Sequence, residues 1–272
     1  PYPGGAALDR AAQGGDPSRY PMPRPQTGKQ LVVHCFGNFE VFFCGKPLIY
    51  SGKTVMRRCA VCGEEKPSDA VCEDGHFVCD ECHNKDSAAV CARLLNTNEK
   101  DPIKIFLDVV KLPSVHMHGP EHHCIVPCVL LTAYKNNGGD IDLRECLDEA
   151  WKRGKKLSGG SCGFLGVCGA AAGAGIYASI LSEATPLTAE VWDVPQRMTM
   201  RCLETLVATG GPRCCKRTGR QSIETAVEFT KERFGVEMPV SRPRCEFFPK
   251  NKECLHERCP YFPTDIIKTG EE

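Results

Sequence analysis

Between positions 113 and 128 the chain reads P-S-V-H-M-H-G-P-E-H-H-C-I-V-P-C. Imidazoles, a carboxylate and thiols in so short a run suit two kinds of work, holding a metal or anion and moving protons. Gly119-Pro120 reads as the entrance to a helix, because Pro suits the first helical position and Gly is tolerated before it. His116, His118, Glu121, His122 and His123 then gather at the positive end of that helix. The competing reading is a polar helix start with surface histidines.

The chain has 19 cysteines. A secreted disulfide scaffold is one explanation, but the sequence shows no secretory leader and its thiols include C-x-x-C pairs, so ligation in a reducing cytoplasm is preferred. Cys59, Cys62, Cys79 and Cys82 form two knuckles at zinc-ribbon spacing, and four thiolates close a tetrahedral structural zinc site. Cys72 and His76 also stand at ligand spacing, and the run resembles half of a cross-brace RING-type module. A second set, Cys245, Cys254 and Cys259 followed by Pro260, lies in Pro-punctuated coil. These are expected ligands of an iron–sulfur cluster, with Cys214 or Cys215 as a fourth. With three ligands only, an open iron can act as a Lewis acid. A second zinc on Cys245, Cys254, His256 and Cys259 is the rival, and buried structural thiols are the third possibility. Arg213, Lys216, Arg217 and Arg220 surround Cys214 and Cys215, and cations favour a reactive thiolate.

The elements that must position these groups read as helices. Asp101-Pro102 caps a segment with Ile103, Phe106, Leu107 and Val110 on one face. A helix from Glu121 to Lys135 contains Pro127, a possible kink, and stops at Asn136-Asn137-Gly138-Gly139. Asp142 with Glu145 makes a capping-box-like start, and Leu143, Cys146, Leu147, Ala150 and Trp151 then form a buried stripe. Residues 157–182 carry one charge-free, Gly- and Ala-rich run, expected as a central buried helix whose Gly166, Ala170, Gly173 and Ala174 let neighbours approach, rather than a membrane span or phosphate loop. Its start, Ser158 to Gly163, could form a nest of backbone amides. Helices over 196–208 and 222–234 complete the set.

The fold class expected is therefore mainly α, a helical domain of five or six helices behind a small N-terminal zinc-ribbon-like module. The divisions are a disordered or linker segment 1–29, a β-hairpin remnant 30–55 turning at Gly45-Lys46, the cysteine module 56–92, the helical domain 100–265 and a tail 266–272. The opening P-Y-P-G-G without Met suggests part of a longer product. Zero net charge gives no electrostatic reason to expect nucleic acid, and no membrane partner is expected.

Four words, P-S-V-H-M-H-G-P-E-H-H, G-G-S-C-G-F-L-G-V-C-G-A-A-A-G-A-G, G-G-P-R-C-C-K-R and C-E-F-F-P-K-N-K-E-C-L-H-E-R-C-P-Y-F, together resemble a cysteine-rich family of unknown function, the DUF5714 type. That resemblance implies methanogens and anaerobic bacteria, radical-SAM neighbours and a frequent SAM-dependent methyltransferase label. The residues do not carry the label, because no glycine-rich turn follows a first strand. P-S-x-H-x-x-G-P is similar to a motif of iron–sulfur serine dehydratases and cysteine desulfidases, and G-G-P-R-C-C-K-R to their cluster motif. This likeness implies that Ser114 and His116 bind an anion and that Cys214 or Cys215 ligates iron. F-G-N-F-E-V-F and G-K-P-L resemble the opening strands of a winged-helix output domain, but no recognition helix follows.

The function expected is that of an iron–sulfur-dependent enzyme of anaerobic metabolism acting on a small anionic or sulfur-containing substrate. His116, His118, Glu121, Cys214 and Cys215 are its candidate catalytic groups, and Ser114, Arg213, Lys216 and Arg217 its anion binders. The alternatives are a zinc or iron–sulfur accessory protein of a radical-SAM system and, last, a transcriptional regulator.

Overall fold

The computed structural model describes residues 48–60, 63–77, 79, 87–112 and 114–264. The segment expected to be disordered (1–29), the first arm of the expected hairpin, Cys62, Cys82, Pro113 and the tail from 266 lie outside the described residues.

Two strands, β1 (Leu48–Arg58) and β2 (Glu65–Cys72), pair antiparallel, with Arg58 opposite Glu65 and Leu48 opposite Cys72. Residues 48–55 thus pair forward across the Cys59 turn. Eight α-helices follow among the described residues: α1 (Ser87–Leu95), α2 (Pro102–Val109), α3 (Glu121–Asn136), α4 (Leu143–Gly154), α5 (Ser161–Phe164), α6 (Gly169–Leu181), α7 (Asp193–Thr209) and α8 (Cys215–Phe234). None is long and apolar enough to cross a membrane. The architecture is mainly helical, as expected, with eight helices rather than five or six among the described residues.

At the centre lies α3, buried from Glu121 through Ala133. It packs against α2, α4, α6 and α8. Ile125, Val126, Val129, Leu130 and Leu131 are fully buried. At about 1.5–3 kcal/mol each they contribute roughly 8–15 kcal/mol, an upper bound against an extended chain. That exceeds the cost of about 3 kcal/mol for a proline inside a helix, and α3 runs unbroken through Pro127. Gly173 on α6 makes room for that ring: a Cβ there would stand 2.9 Å from Pro127 Cδ.

Local signals set several helix starts. Asp101 caps α2 by accepting the amides of Ile103 and Lys104, at 2.8 and 3.4 Å, and its other oxygen accepts from Ser241 N–H at 2.8 Å. Asp142 caps α4 through Glu145 N–H, and Leu147, Ala150 and Trp151 are buried as the stripe predicts. Elsewhere the structure corrects the expectation. The Gly-rich run is not one helix, because Gly160 and Gly166 sit at φ 81° and 68° and divide it into α5, a turn and α6. Ala170, Gly173 and Ala174 do pack inside α6, but Gly166 belongs to the turn. The helix expected from residue 222 begins seven residues earlier, at Cys215, because the sulfur of Cys214 caps it.

Candidate functional site

The first turns of α8 and the coil that follows it enclose a narrow pocket whose water-accessible interior is about 20 Å³. Four thiols line it, those of Cys214, Cys245, Cys254 and Cys259. Cys214 comes from the N-cap of α8. The other three come from coil that two 3₁₀ turns, Phe248–Lys250 and His256–Arg258, fold back on itself, closed by Cys245 N–H to Tyr261 O at 2.8 Å. Three sulfurs accept backbone amides: Cys214 from Arg217 at 3.4 Å, Cys254 from His256 at 3.4 Å, and Cys245 from Phe247 and Phe248. Such N–H···S bonds favour the thiolate, the form that ligates metal.

Among the described residues no group of three or more His, Cys, Asp or Glu converges tightly enough for a single metal ion. His256, the fourth ligand of the rival zinc reading, is exposed and packs its ring edge-on against Phe262, with centroids 5.3 Å apart. The four thiols of Cys214, Cys245, Cys254 and Cys259 share one pocket. Arg217 and Arg220 also line the pocket and are buried. Each uses a terminal nitrogen on backbone carbonyls, Arg217 on Gly210 and Pro212, Arg220 on Pro243, while each Nε is buried without a hydrogen-bond partner among the described residues. Arg220 also lies 3.6 Å over the Tyr261 ring. Two cations thus line the same wall as the four thiols.

The histidine loop braces this pocket from behind. Lys216, also in the pocket wall, is buried, and its ammonium donates to His116 O at 2.5 Å and to His122 Nε2 at 3.0 Å. His122 Nδ1 faces Gly119 O at 3.1 Å, and a carbonyl can only accept, so Nδ1 carries the proton and Nε2 receives the lysine. Burial and then the Lys216 charge hold the His122 pKa well below the usual imidazole range, which keeps the ring neutral. Burial also pulls Lys216 down, to about 8. Glu121 accepts the His116 amide at 3.0 Å and lies 3.4 Å from His116 Nδ1. Although burial opposes it, hydrogen bonding from His116 and the neighbouring imidazoles take the Glu121 carboxyl down to about 2.

His118 reaches furthest. Its Nε2 lies 3.1 Å from Asn251 Oδ1 and 3.0 Å from Glu253 Oε2, which ties the loop to the coil between Cys245 and Cys254. Two acceptors on Nε2 place the proton there, and the buried Nδ1 has no hydrogen-bond partner among the described residues. Burial, then Arg213, lower the His118 pKa against the pull of Glu253. Asn251 and Glu253 were not singled out from the sequence. Their only signal there is position, polar residues just before Cys254. Of the sequence candidates, His118 and Glu121 are thus buried braces, His116 is a third exposed, and Ser114 is half-buried in the preceding turn.

Cys214 and Cys215, the pair the sequence offers as reactive thiolates, are both held above the usual thiol range. Burial pushes the Cys215 thiol up to about 12 and raises Cys214 as well. Burial outweighs the opposing pull of Arg217 on Cys214 and of Arg213 on Cys215. Cys215 accepts an amide from Gly119 and is not part of the pocket lining.

In the N-terminal module Cys59 and Cys79 are both buried, and Cys79 N–H points to Cys59 Sγ at 3.3 Å. A backbone bridge between Cys59 and Phe77 holds this approach. Cys72 and His76 form a separate pair, with Sγ and Nδ1 3.4 Å apart and His76 N–H on the same sulfur at 3.2 Å.

Fold and site together define a helical protein with a thiol-lined pocket at the N-terminus of its last helix. The chain belongs to the Family of unknown function (DUF5714), whose model matches residues 90–262, a span that contains α2 to α8 and the whole pocket. Two curated proteins share short stretches with it, both named tRNA N6-adenosine threonylcarbamoyltransferase. The one from Agrobacterium fabrum is 59% identical over 40 residues, 15% of this chain and 11% of the relative. The one from Paramagnetospirillum magneticum is 64% identical over 28 residues, 10% and 8%. The chain thus matches about a tenth of the length of either relative. No solved structure matches.

Proposed function

We propose that this chain is an iron–sulfur protein and, by that cofactor, a redox enzyme acting on a small anionic or sulfur-containing substrate. One observation carries the reading: Cys214, Cys245, Cys254 and Cys259 line a single pocket. The fit is chemical. Thiols are the usual ligands of such clusters, amides already point at three of the four sulfurs, and two buried guanidinium nitrogens lie free in the wall. The cluster, when bound, would supply one-electron chemistry. Four thiolates leave no open iron, so the Lewis-acid variant expected for three ligands gives way to electron transfer. The braces from His118 and Lys216 hold Asn251, Glu253 and the α8 N-terminus in place, which keeps the coil cysteines facing Cys214.

The closed thiol set equally supports an accessory electron carrier for a partner enzyme, such as one of the radical-SAM class. The helical core lends no support to a methyltransferase of the doubly wound type. In the N-terminal module we propose a structural zinc on Cys59 and Cys79 with Cys62 and Cys82. The convergence of Cys79 N–H on Cys59 Sγ supports it.

Anaerobic preparation followed by metal and sulfide analysis and by absorption and EPR spectra tests the proposal. The full chain is expected to be brown with about four irons, as a cubane cluster requires, and Cys254→Ala to lose most of that iron. A colourless protein that binds zinc alone, after anaerobic reconstitution with iron and sulfide, overturns it.

A further inference from the structure

One face of α7 is packed and the opposite face is open. Val194, Met198, Cys202 and Leu206 are buried on the side that meets α6 and α8. On the outer side Asp193, Gln196, Met200, Leu203 and Val207 follow one another in steps of three, four, three and four residues. That spacing is the seam of a heptad repeat, the row one helix presents to another. The second half of the row is apolar: Met200 is 50% and Val207 76% exposed, with half-buried Leu203 between them. Trp192, 51% exposed, stands beside the row at the helix start. Scattered exposed apolar residues are ordinary, whereas a row of them at heptad spacing is the pattern of an interface.

The charges beside the row say which partner fits. Arg197 and Glu204 are both exposed and stand seven residues apart, so they share one flank, about a turn to either side of Met200. A second copy of α7 laid antiparallel across the seam presents the same flank in reverse order. Arg197 of each copy then stands opposite Glu204 of the other, twice by symmetry, and Met200 meets Leu203 of the second copy. A parallel pairing instead sets this flank against the other one, whose Trp192, Thr199 and Leu206 carry no charge. Opposite charges in this order are the self-complementarity that a two-fold interface needs. The single carboxylate on the seam, Asp193, is already neutralised by Arg197 at 2.5 Å.

We propose that α7 is the interface of a two-fold homodimer, in which the rows of Met200, Leu203 and Val207 from two copies pack antiparallel and Arg197 of each meets Glu204 of the other. A seam of 17 residues is about 25 Å long, so the dimer is reversible rather than obligate. The inference does not rest on the iron–sulfur reading, because no residue lining the thiol pocket lies on α7.

Sedimentation equilibrium of the full chain, kept anaerobic with reductant so that no disulfide joins copies, reads the mass between about 1 and about 100 µM. Wild type is expected to approach twice 29.8 kDa at the upper end. Glu204→Arg and Arg197→Glu each turn two attractive pairs into two repulsive ones, and each alone should weaken dimerisation roughly tenfold. Mixed in equal amounts, the two variants regain both attractive pairs, and most of the wild-type affinity should return. Far-UV circular dichroism checks that each variant is folded. If Glu204→Arg is not, Glu204→Gln replaces it, with a weakening of about threefold expected. Wild type that stays at the mass of one chain up to the highest concentration overturns the proposal and leaves the apolar row to a different occupant. A dimer that no charge change weakens overturns it too, because the copies then meet elsewhere. So do variants that stay weak when mixed, because the orientation is then not antiparallel.

Discussion

Glu121→Gln gives the sharpest test of how the histidine loop is held. The carboxylate opens α3, is 8% exposed, accepts the His116 amide at 3.0 Å, and has its pKa taken from an ordinary 4.5 to about 2. A depression of that size corresponds to about 3.4 kcal/mol at 1.36 kcal/mol per unit. Neutral His122 exerts no charge on Glu121 near pH 7, so the contribution is nearer 2–3 kcal/mol there. The sign follows from proton binding. A carboxyl with a depressed folded pKa stabilises above its unfolded pKa and loses that stabilisation as pH falls through the folded one. The window is therefore between 4.5 and about 2. By pH 3 more than half of the contribution should be gone. Gln keeps the shape and can still accept the His116 amide, so the comparison isolates the charge. For a domain of this size 2–3 kcal/mol is a fall in Tm of roughly 4–12 °C. Urea unfolding followed by far-UV circular dichroism, wild type against Glu121→Gln at pH 7 and pH 3, measures it. A difference that is the same at both pH values, or less than about 0.5 kcal/mol at pH 7, refutes the reasoning.

Other expectations follow from the packing. In Gly169→Ala the new methyl would lie 1.9 Å from His123 Cδ2, whose ring is held by Leu157 O at 3.1 Å, so a loss of about 1–3 kcal/mol is expected in the same unfolding assay. Tyr177→Phe removes a buried bond of 2.9 Å to Thr230, whose own hydroxyl remains on Ala226 O, and about 0.5–1.5 kcal/mol should be lost. Timed alkylation of the native reduced protein should label Cys162 well before Cys124 and Cys202, which burial pushes up to about 12. Equal labelling rates would contradict the burial assigned to those two thiols.

Much of the helical layout was legible locally. Asp101 and Asp142 are caps because a carboxylate sits just ahead of an apolar stripe, and both make the bonds their positions predict. The α4 stripe placed Leu147, Ala150 and Trp151 in the core by spacing alone. The start of α8 escaped notice because its cap is a thiol and its first turn is basic, opposite to the usual charge preference. The tertiary structure offsets that charge by turning Arg217 back onto Gly210 O and Pro212 O. The break at Gly166 escaped as well, since a small residue at helical spacing looks the same whether it packs or turns.

For the site, the sequence by itself determined the donor inventory: which residues are thiols, imidazoles and cations, and that three cysteines share one Pro-rich coil. It could not determine protonation or partnership. Whether Lys216 activates a thiol or braces His122 depends on burial, and burial is a property of the packed core. Likewise Cys214 shares a pocket with Cys245, Cys254 and Cys259 only because α8 carries the chain away and the coil returns to its first turn. Spacing along the chain fixes local geometry over a few residues. A contact spanning thirty or more is decided by which buried surfaces the whole fold brings together.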